Sequence, residues 1–446
     1  MKRKTVSLCM IARDEEAFIG KAIKSALALV DEIVVVDTGS RDNTRIIAEG
    51  YGARVIDYAW HDDFAAARNT ALEAASSDWI LILDCDEQLQ SVRPVEFQRL
   101  LVDPGIAGYR VRSLGGSLGE RPSPFPEIRL FRSHPEVRYR YPVHEQIAPS
   151  LTLQASREGL VIADSPLVIV HDGGGADQRS RKRDRNLRLL RQAVLDYPEE
   201  PYFEYRLGSE TLLQLEGLAL PVAGLHASLD HLAAAWRKVA AMPPEIRELV
   251  SYGKLLAGDL ASAQLAAGQA EAAARSVALA RAQWGDASRL ILEAVRARLA
   301  GLGETPDEQI LAEIRRDLVL LERRTGGDNT PLAAQVQVCQ GELALGEGRV
   351  TDAAEAFERA LSSDQEHSAA WVGLAECARL AGDRKRALRL YLRAVTANEW
   401  NVRAWRRGGS LMEELGFHDN AQSWRDKVRE HFPECPAEFS DPVGIR

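Results

Sequence analysis

The sequence predicts an α/β domain built on a doubly wound, mostly parallel sheet, followed by an all-α solenoid of helical repeats. Three observations carry this. Over the first 90 residues, strand-like apolar runs alternate with helical spacings, the pattern of βαβ units. Three of those runs end in an acid, at Asp37, Asp57 and Asp84. Beyond Pro201 the strand signals vanish, and small and aromatic residues recur at a step of 34, the mark of a repeat array. At 446 residues the chain exceeds what one core usually serves. The expected division is 1–175 for the sheet, 176–200 for a basic linker helix and 201–446 for the repeats.

Val6 to Ile11 opens as a strand. The charged run Arg13-Asp14-Glu15-Glu16 follows, then Ile19, Ala22, Ile23, Ala26 and Leu27 form one helical face between Phe18 and Leu29. Ile33-Val34-Val35-Val36-Asp37 is a β-branched strand ending in an acid. Thr38 to Thr44 is turn and N-cap chemistry leading into a short helix through Ile46, Ile47 and Tyr51, which Gly52 can end. Arg54 to Asp57 is the third strand. Trp60-His61-Asp62-Asp63 is a loop, with Asp63 placed to cap the Ala-rich helix Phe64 to Ala75, which carries Arg68 and Asn69.

Trp79-Ile80-Leu81-Ile82-Leu83 is apolar throughout, as in a strand covered on both faces. Asp84 and Asp86 stand two apart, so on an extended backbone both side chains leave in the same direction. Carboxylates at the carboxyl end of a parallel strand stand where open α/β sheets bind ligands. Oxygen ligands there suit a hard divalent cation that also holds phosphates. Cys85 between them reads as a small filler. No G-x-G-x-x-G and no G-x-x-x-x-G-K-[ST] occurs, which sets aside dinucleotide and P-loop readings.

Four segments in order carry a resemblance: Val6-Ser7-Leu8-Cys9-Met10-Ile11-Ala12-Arg13-Asp14-Glu15-Glu16, Val35-Val36-Asp37-Thr38-Gly39-Ser40-Arg41-Asp42-Asn43-Thr44, Asp63-Phe64-Ala65-Ala66-Ala67-Arg68-Asn69, and Asp84-Cys85-Asp86. Together they resemble family-two glycosyltransferases of the Rossmann-like GT-A fold, and the last matches their DxD motif. The resemblance implies a nucleotide-sugar donor, most simply a UDP-sugar, and Mg2+ or Mn2+. It implies that Asp37 accepts from the base, Glu15 lies near the ribose, and Arg68 binds the nucleotide towards its base or phosphates. Asp84 would lie near ribose and metal, and Asp86 would ligate the metal that holds the diphosphate. Many relatives carry a second Asp where this chain has Thr38. Read locally, Asp37 with Thr38-Gly39-Ser40 instead caps the next helix, and Arg68 pairs with Asp62 or Asp63 at the surface.

The remainder of the first part is less regular. Gly108 to Ser113 alternates like a strand, Gly115 to Pro126 is a Gly- and Pro-rich loop expected to be mobile, and Glu127 to Arg132 is a half-exposed strand. Inverting sugar transfer needs a base for the acceptor's proton. Glu145, in the His-Glu pair of Tyr141-Pro142-Val143-His144-Glu145-Gln146, is the candidate, and similar enzymes often carry that pair here. The other reading leaves His144 and Glu145 as rim residues. Leu167 to Val170 is an apolar strand ending at His171, ahead of Asp172-Gly173-Gly174-Gly175. By resemblance, His171 is the third protein ligand of the metal. The run Arg179-Ser180-Arg181-Lys182-Arg183-Asp184-Arg185-Asn186 then opens a helix. Its cations, Lys182 and Arg183 foremost, are candidates to neutralise a leaving diphosphate or hold a flap over it; otherwise they form a solvated helix face.

In the second part Trp371 and Trp405 are 34 apart, as are Ala353, Ala387 and Ala421, and Gly341, Ala375 and Gly409. Phe357 and Tyr391 keep the step, as do Ala360, Ala394 and Val428. This resembles the tetratricopeptide pattern, clearest over 333–433. Phe203 to Leu215 and Leu255 to Trp284 read as degenerate copies, and Gly217 to Ala223 as a break. Such stacks present a concave surface, which points to a peptide or protein partner, or to self-association as a homo-oligomer.

A net charge of −9 argues against a general nucleic-acid binder. Cys9, Cys85, Cys339, Cys377 and Cys435 are scattered, with no C-x-x-C. That indicates neither zinc nor a disulfide framework and fits a reducing, cytoplasmic compartment. The basic start Met1-Lys2-Arg3-Lys4 precedes an apolar stretch that breaks at Arg13, too short for a secretion signal, and no run has the length of a membrane span. The expected activity is a metal-dependent, inverting hexosyl transfer from a nucleotide sugar. The layout also resembles peptide glycosyltransferases that modify Cys or Ser, with the acceptor peptide lying along the repeat groove. Two rivals stand beside it. One is a non-catalytic scaffold with a degenerate sugar-nucleotide domain, against which the intact DxD argues. The other is a nucleotidyltransferase, whose Gly-rich cationic loop is replaced here by Arg13-Asp14-Glu15-Glu16.

Overall fold

The computed structural model describes residues 3–115, 127–171, 176–217, 222–248, 250, 252–303, 306–326, 330–399 and 401–431. It forms two compact units, Met1–Ala193 and Val194–Arg446. Residues 116–126 of the loop expected at Gly115 to Pro126, the run Asp172 to Gly175, residues 218–221 of the break expected at Gly217 to Ala223, Cys435 and the side chains of Arg179 and Arg181 lie outside the described residues; Gly115 ends a strand, and Gly217, Val222 and Ala223 are helical.

The first unit runs β1 (Val6–Ala12), α1 (Ile19–Ala26), β2 (Glu32–Asp37), α2 (Thr44–Gly50), β3 (Arg54–Asp57), α3 (Phe64–Ala74), β4 (Trp79–Ile82), β5 (Glu87–Leu89), α4 (Pro94–Leu101), β6 (Ile106–Gly115), β7 (Glu127–Arg132), α5 (Ala148–Glu158), β8 (Val161–His171) and α6 (Ala176–Asp196). The strands form one sheet in the order β3-β2-β1-β4-β7-β6-β8-β5. β1 is parallel to β2 and β4, and β2 to β3. β7 is antiparallel to β4 and β6, and β5 to β8. The parallel expectation thus describes the first four strands and, again, the pairing of β6 with β8. The later half turns back on itself, because β7 returns beside β6 without a helical crossover. The unit boundary falls after Ala193, so most of the basic helix is counted with the sheet rather than standing apart to residue 200.

Alternation along the parallel strands fills two cores, one per face. Leu8 and Met10 of β1, Val35 of β2 and Leu81 of β4 pack with Ile19 and Ile23 of α1 and Phe97 of α4. Cys9, Val34, Val36, Ile80 and Ile82 pack on the opposite face with Ala67 and Ala71 of α3 and Leu151 of α5. The chain lays β1, β2 and β3 to one side, then places β4 on the other side of β1. That reversal opens a crevice beyond the carboxyl ends of β1 and β4.

The second unit is helical throughout its described residues: α7 (Pro201–Gly217), α8 (Val222–Ala241), α9 (Pro244–Glu248), α10 (Gly253–Ala266), α11 (Ala270–Trp284), α12 (Ser288–Ala300), α13 (Glu308–Thr325), α14 (Pro331–Gly346), α15 (Val350–Ser363), α16 (Ser368–Leu380), α17 (Arg384–Ala397), α18 (Val402–Glu414) and α19 (His418–His431). Ala353, Ala387 and Ala421 are fully buried, as are Phe357 and Tyr391, so the 34-residue step marks helix contacts. The step also appears in hydrogen bonds: Trp371 Nε1 donates to the Gln365 carbonyl at 2.9 Å, and Trp405 Nε1 to that of Glu399 at 2.6 Å. The turn inside each pair is made by Gly348, Gly382 and Gly416, all at positive φ. Among the described residues, no helix is long and apolar enough to cross a membrane.

Phe357 seats its ring against Gly341 and Gly373. A Cβ on Gly373 would lie 2.3 Å from Phe357 Cζ, nearer than packed carbons approach. Gly373→Ala should therefore destabilise the repeats by about 1–3 kcal/mol through overpacking. Urea unfolding followed by circular dichroism should show an earlier helical transition, and an unchanged midpoint would contradict this packing.

Candidate functional site

The crevice is a cavity of about 420 Å³ whose walls include Ile11 near the end of β1, Arg13 and Glu15 after it, Asp84 and Asp86 after β4, and Lys182 of α6. Local hydrogen bonds decide which acids face it. Asp14 accepts from Arg41 N at 2.7 Å, and Glu16 from Asn43 N and Nδ2 at 3.0 and 2.9 Å. This zips both acids to the turn after β2. Glu15 remains against the cavity: its Oε2 is buried and has no hydrogen-bond partner among the described residues. Burial raises the Glu15 pKa, with Lys182 opposing.

Asp37 does not cap a helix, since α2 begins only at Thr44; it holds the turn ahead of that helix. Its Oδ1 accepts from Gly39 N at 3.0 Å and Ser40 N at 2.8 Å, and it is absent from the cavity wall, where Thr38 stands instead. Asp57 is exposed and pairs with Arg45. Of the three strand-ending acids, only Asp84 reaches the cavity.

Asp84 belongs to a buried ion network. Arg68, on α3, donates from Nη2 to Asp84 Oδ1 and from Nε to Glu145 Oε1, both at 2.6 Å. Arg68 therefore does not pair with Asp62 or Asp63: Asp62 is held by Arg188 through two 2.8 Å bonds, and Asp63 caps α3 by accepting from Ala66 N. Burial alone would lower the Arg68 pKa, but Asp84 and Glu145 outweigh it and hold the guanidinium charged. Burial likewise works against the Asp84 carboxylate, and Arg68 and Arg129 overturn that, keeping its pKa below the usual range.

Arg129 of β7 also reaches Glu87 at 2.8 Å, and Glu87 Oε2 accepts from Asp84 N at 2.8 Å. Burial nevertheless pushes Glu87 up to about 7 from 4.5. The folded state then keeps a proton that the unfolded chain releases. Glu87 contributes stability that is fully present below pH 4.5 and lost as pH rises through about 7. A Glu87→Gln variant lacks this term, so its melting temperature should fall less than that of the wild type across this window in calorimetry. Parallel pH profiles would contradict the assignment.

Asp86 forms a second cluster. Its Oδ2 accepts from Lys182 Nζ at 2.6 Å and lies 3.4 Å from His171 Nε2. Lys182 Nζ also lies 3.9 Å from Glu15. Burial opposes the Asp86 carboxylate, but the His171 and Lys182 hydrogen bonds leave its pKa lowered. A carboxylate and an imidazole converging on one point suit a divalent cation. No trio of potential metal ligands occurs among the described residues, and Asp84 is committed to arginines. Asp86 and His171 would thus be the protein's share, with diphosphate and water completing the shell. A cation there would displace the Lys182 ammonium from Asp86.

Helix α6 supplies the remaining wall. Lys182, Arg185 and Asn186 line the cavity and Arg183 does not. The spacing i, i+3, i+4 puts the first three on one helix face and Arg183 on another. That periodicity was the signal available for Arg185, whose guanidinium lies 4.8 Å from the Phe64 ring centroid. Trp60 and Phe64, edge to face at 4.8 Å, also line the cavity. Cys85 is buried, its Sγ 3.3 Å from the Ile11 carbonyl, a packing role.

A family model for glycosyl transferase family 2 matches residues 7–112, and one for the tetratricopeptide repeat matches residues 340–401. Over 217 residues the chain is 39% identical to a TPR repeat-containing protein of Synechococcus elongatus, covering 48% of this chain and 53% of that one. It is 32% identical over 217 residues to the lipopolysaccharide core biosynthesis glycosyltransferase LpsC of Rhizobium meliloti, covering 45% of this chain and 76% of that one. The chain thus spans about half the length of the first relative and three quarters of the second. Among solved structures, glucosyl-3-phosphoglycerate synthase of Mycobacterium tuberculosis, determined with Mn2+, UDP and glucosyl-3-phosphoglycerate, matches at 24% identity over 40% of this chain and 75% of that one, with a TM-score of 0.30.

Proposed function

The chain belongs to glycosyl transferase family 2 and is a glycosyltransferase carrying tetratricopeptide repeats; from that premise we propose that its cavity transfers a sugar, with inversion, from a UDP-sugar to an acceptor hydroxyl. The observation that carries this reading is the meeting of two clusters at one sheet edge: Asp86 with His171, and Asp84 with Arg68 and Glu145. Glu15 and Thr38 lie at the nucleoside end of the cavity. Asp86 and His171 would hold Mg2+ or Mn2+, which when bound would offset the charge growing on the diphosphate. Lys182 and Arg185 add cationic walls for that charge. Arg183 has no part in it, and Asp37 acts by shaping the turn that places Thr38.

Glu145 is the base. Its Oε1 is taken by Arg68, and no hydrogen bond reaches its Oε2 among the described residues. The acceptor's proton passes to Glu145 as its oxygen bonds to C1 of the sugar. The bond from C1 to the diphosphate breaks, and its electron pair leaves with UDP. Trp60 and Phe64 offer aromatic edges and faces to the acceptor. With LpsC named for lipopolysaccharide core biosynthesis, a glycan hydroxyl is the acceptor we favour. The second reading, a peptide side chain, rests on the repeats, which suit a protein or peptide partner or a second copy of the chain. The four described cysteines are free and buried, which suits the reducing cytoplasm.

The test is release of UDP from a panel of UDP-sugars by the full chain, with Mn2+ or with EDTA. Metal-dependent release from one member is expected. No release from any nucleotide sugar would favour a non-catalytic scaffold.

A further inference from the structure

Arg68 and Asn69 are consecutive, yet both reach away from their own helix to a single loop. Asn69 grips its start: Asn69 Oδ1 accepts from Tyr139 N at 2.8 Å, and Asn69 Nδ2 donates to the Tyr139 carbonyl at 3.0 Å. Arg68 grips its end through Glu145 at 2.6 Å and also lies over the Tyr139 ring, 5.4 Å from its centroid. Phe64, at the start of the same helix, donates its backbone N–H to the Pro142 carbonyl at 2.9 Å. One helix therefore holds the loop at three points.

The loop needs holding. Arg140 and Gln146 close its neck with reciprocal backbone hydrogen bonds of 3.0 and 2.9 Å. Between them, Tyr141 at φ 78° and His144 at φ 51° occupy the left-handed region. Non-glycine residues are uncommon there, a bulky tyrosine especially, and two in one short loop mark a conformation that the surroundings impose. The imposed conformation turns Glu145 into the cavity, where its side chain is only 14% exposed.

We infer that Arg68 and Asn69 are positioning residues that build the Glu145 loop, Arg68 at the same time joining Glu145 to Asp84. Arg68 is 7% exposed, and its remaining nitrogen, Nη1, is buried with no acceptor among the described residues. Its two carboxylate bonds use the geometry that a planar guanidinium fork provides and a lysine does not. Arg68 is thereby assigned to the base rather than to direct capture of the nucleotide. Asn69 touches the loop backbone alone, so it separates the loop's contribution from that of Asp84.

This inference rests on Glu145 as the base, and the test separates the two. Asn69→Ala and Arg68→Lys are compared with wild type by turnover of the UDP-sugar it hydrolyses, by calorimetric UDP affinity with Mn2+, and by crystal structure. Asn69→Ala should lose about 10- to 100-fold in kcat, the effect of a misplaced catalytic group, with UDP affinity and donor KM nearly unchanged. Arg68→Lys should lose at least as much, and in the Asn69→Ala crystal the 139–146 loop should be displaced. Weakened UDP binding with kcat retained would overturn the inference and make Arg68 a nucleotide ligand. An unmoved loop in the Asn69→Ala crystal would overturn it too. Wild-type turnover by Glu145→Gln would instead remove Glu145 as the base, while the crystal structure would still decide whether Asn69 builds the loop. Thermal melts of each variant establish folding, and the milder Asn69→Ala carries the test where Arg68→Lys does not fold.

Discussion

Asp86→Ala should abolish the metal-dependent part of UDP binding while leaving the fold in place. Asp86 lies 3.4 Å from the His171 imidazole, whereas Asp84 is spent on Arg68 and Arg129. Without Asp86, His171 alone does not hold a hard cation. Stabilisation of a charged transition state by a bound metal is worth several kcal/mol, so turnover should fall by about 10²–10³-fold. The fold should survive because Lys182, which loses its partner, is 37% exposed and can turn to water. The measurement is calorimetric titration of UDP with and without Mn2+ on both proteins. A Mn2+ enhancement that persists in Asp86→Ala would place the metal elsewhere.

Glu145→Gln should have the opposite signature. The amide keeps the shape of the side chain, and its carbonyl oxygen can still accept from Arg68 Nε, so the loop stays where it is. Proton abstraction is lost, which costs about 10²–10⁴-fold in kcat for a general base. UDP affinity should change little, since the interaction removed is made in the transition state. Initial rates of UDP release over a range of donor concentrations separate the two parameters. An unchanged kcat would return Glu145 to the rim.

Much of this architecture was legible in the sequence because burial on both faces of a parallel strand writes a continuous apolar run. Ile33 to Val36 and Trp79 to Leu83 each feed two cores by alternation. The repeats were legible because Phe357 and Tyr391 occupy equivalent buried positions. Glu127 to Arg132 was legible as a strand, but its antiparallel pairing with β4 and β6 was not, because strand direction is set by backbone hydrogen bonds that side chains barely encode.

In the cavity, the acids after β1 and β4 were readable from strand ends. For Asp37 the residues suggest a base contact or a helix cap, whereas its Oδ1 accepts from the Gly39 and Ser40 N–H groups of the turn itself. Arg183 was chosen over Arg185 by position in the chain, whereas the helical period selects Arg185 with Lys182. The Arg68–Glu145 bond joins residues 77 apart. Nothing local announces it, and the local reading offered the nearer Asp62 and Asp63 instead.

The cavity should bind a nucleoside diphosphate through a divalent cation, and calorimetric titration of UDP into the wild-type chain, first in EDTA and then with Mn2+, measures this. One UDP per chain is expected, with an affinity that rises by at least about tenfold when Mn2+ is present, equivalent to about 1.4 kcal/mol. Equal affinity in both conditions would contradict the metal site, and no binding in either would contradict the donor itself.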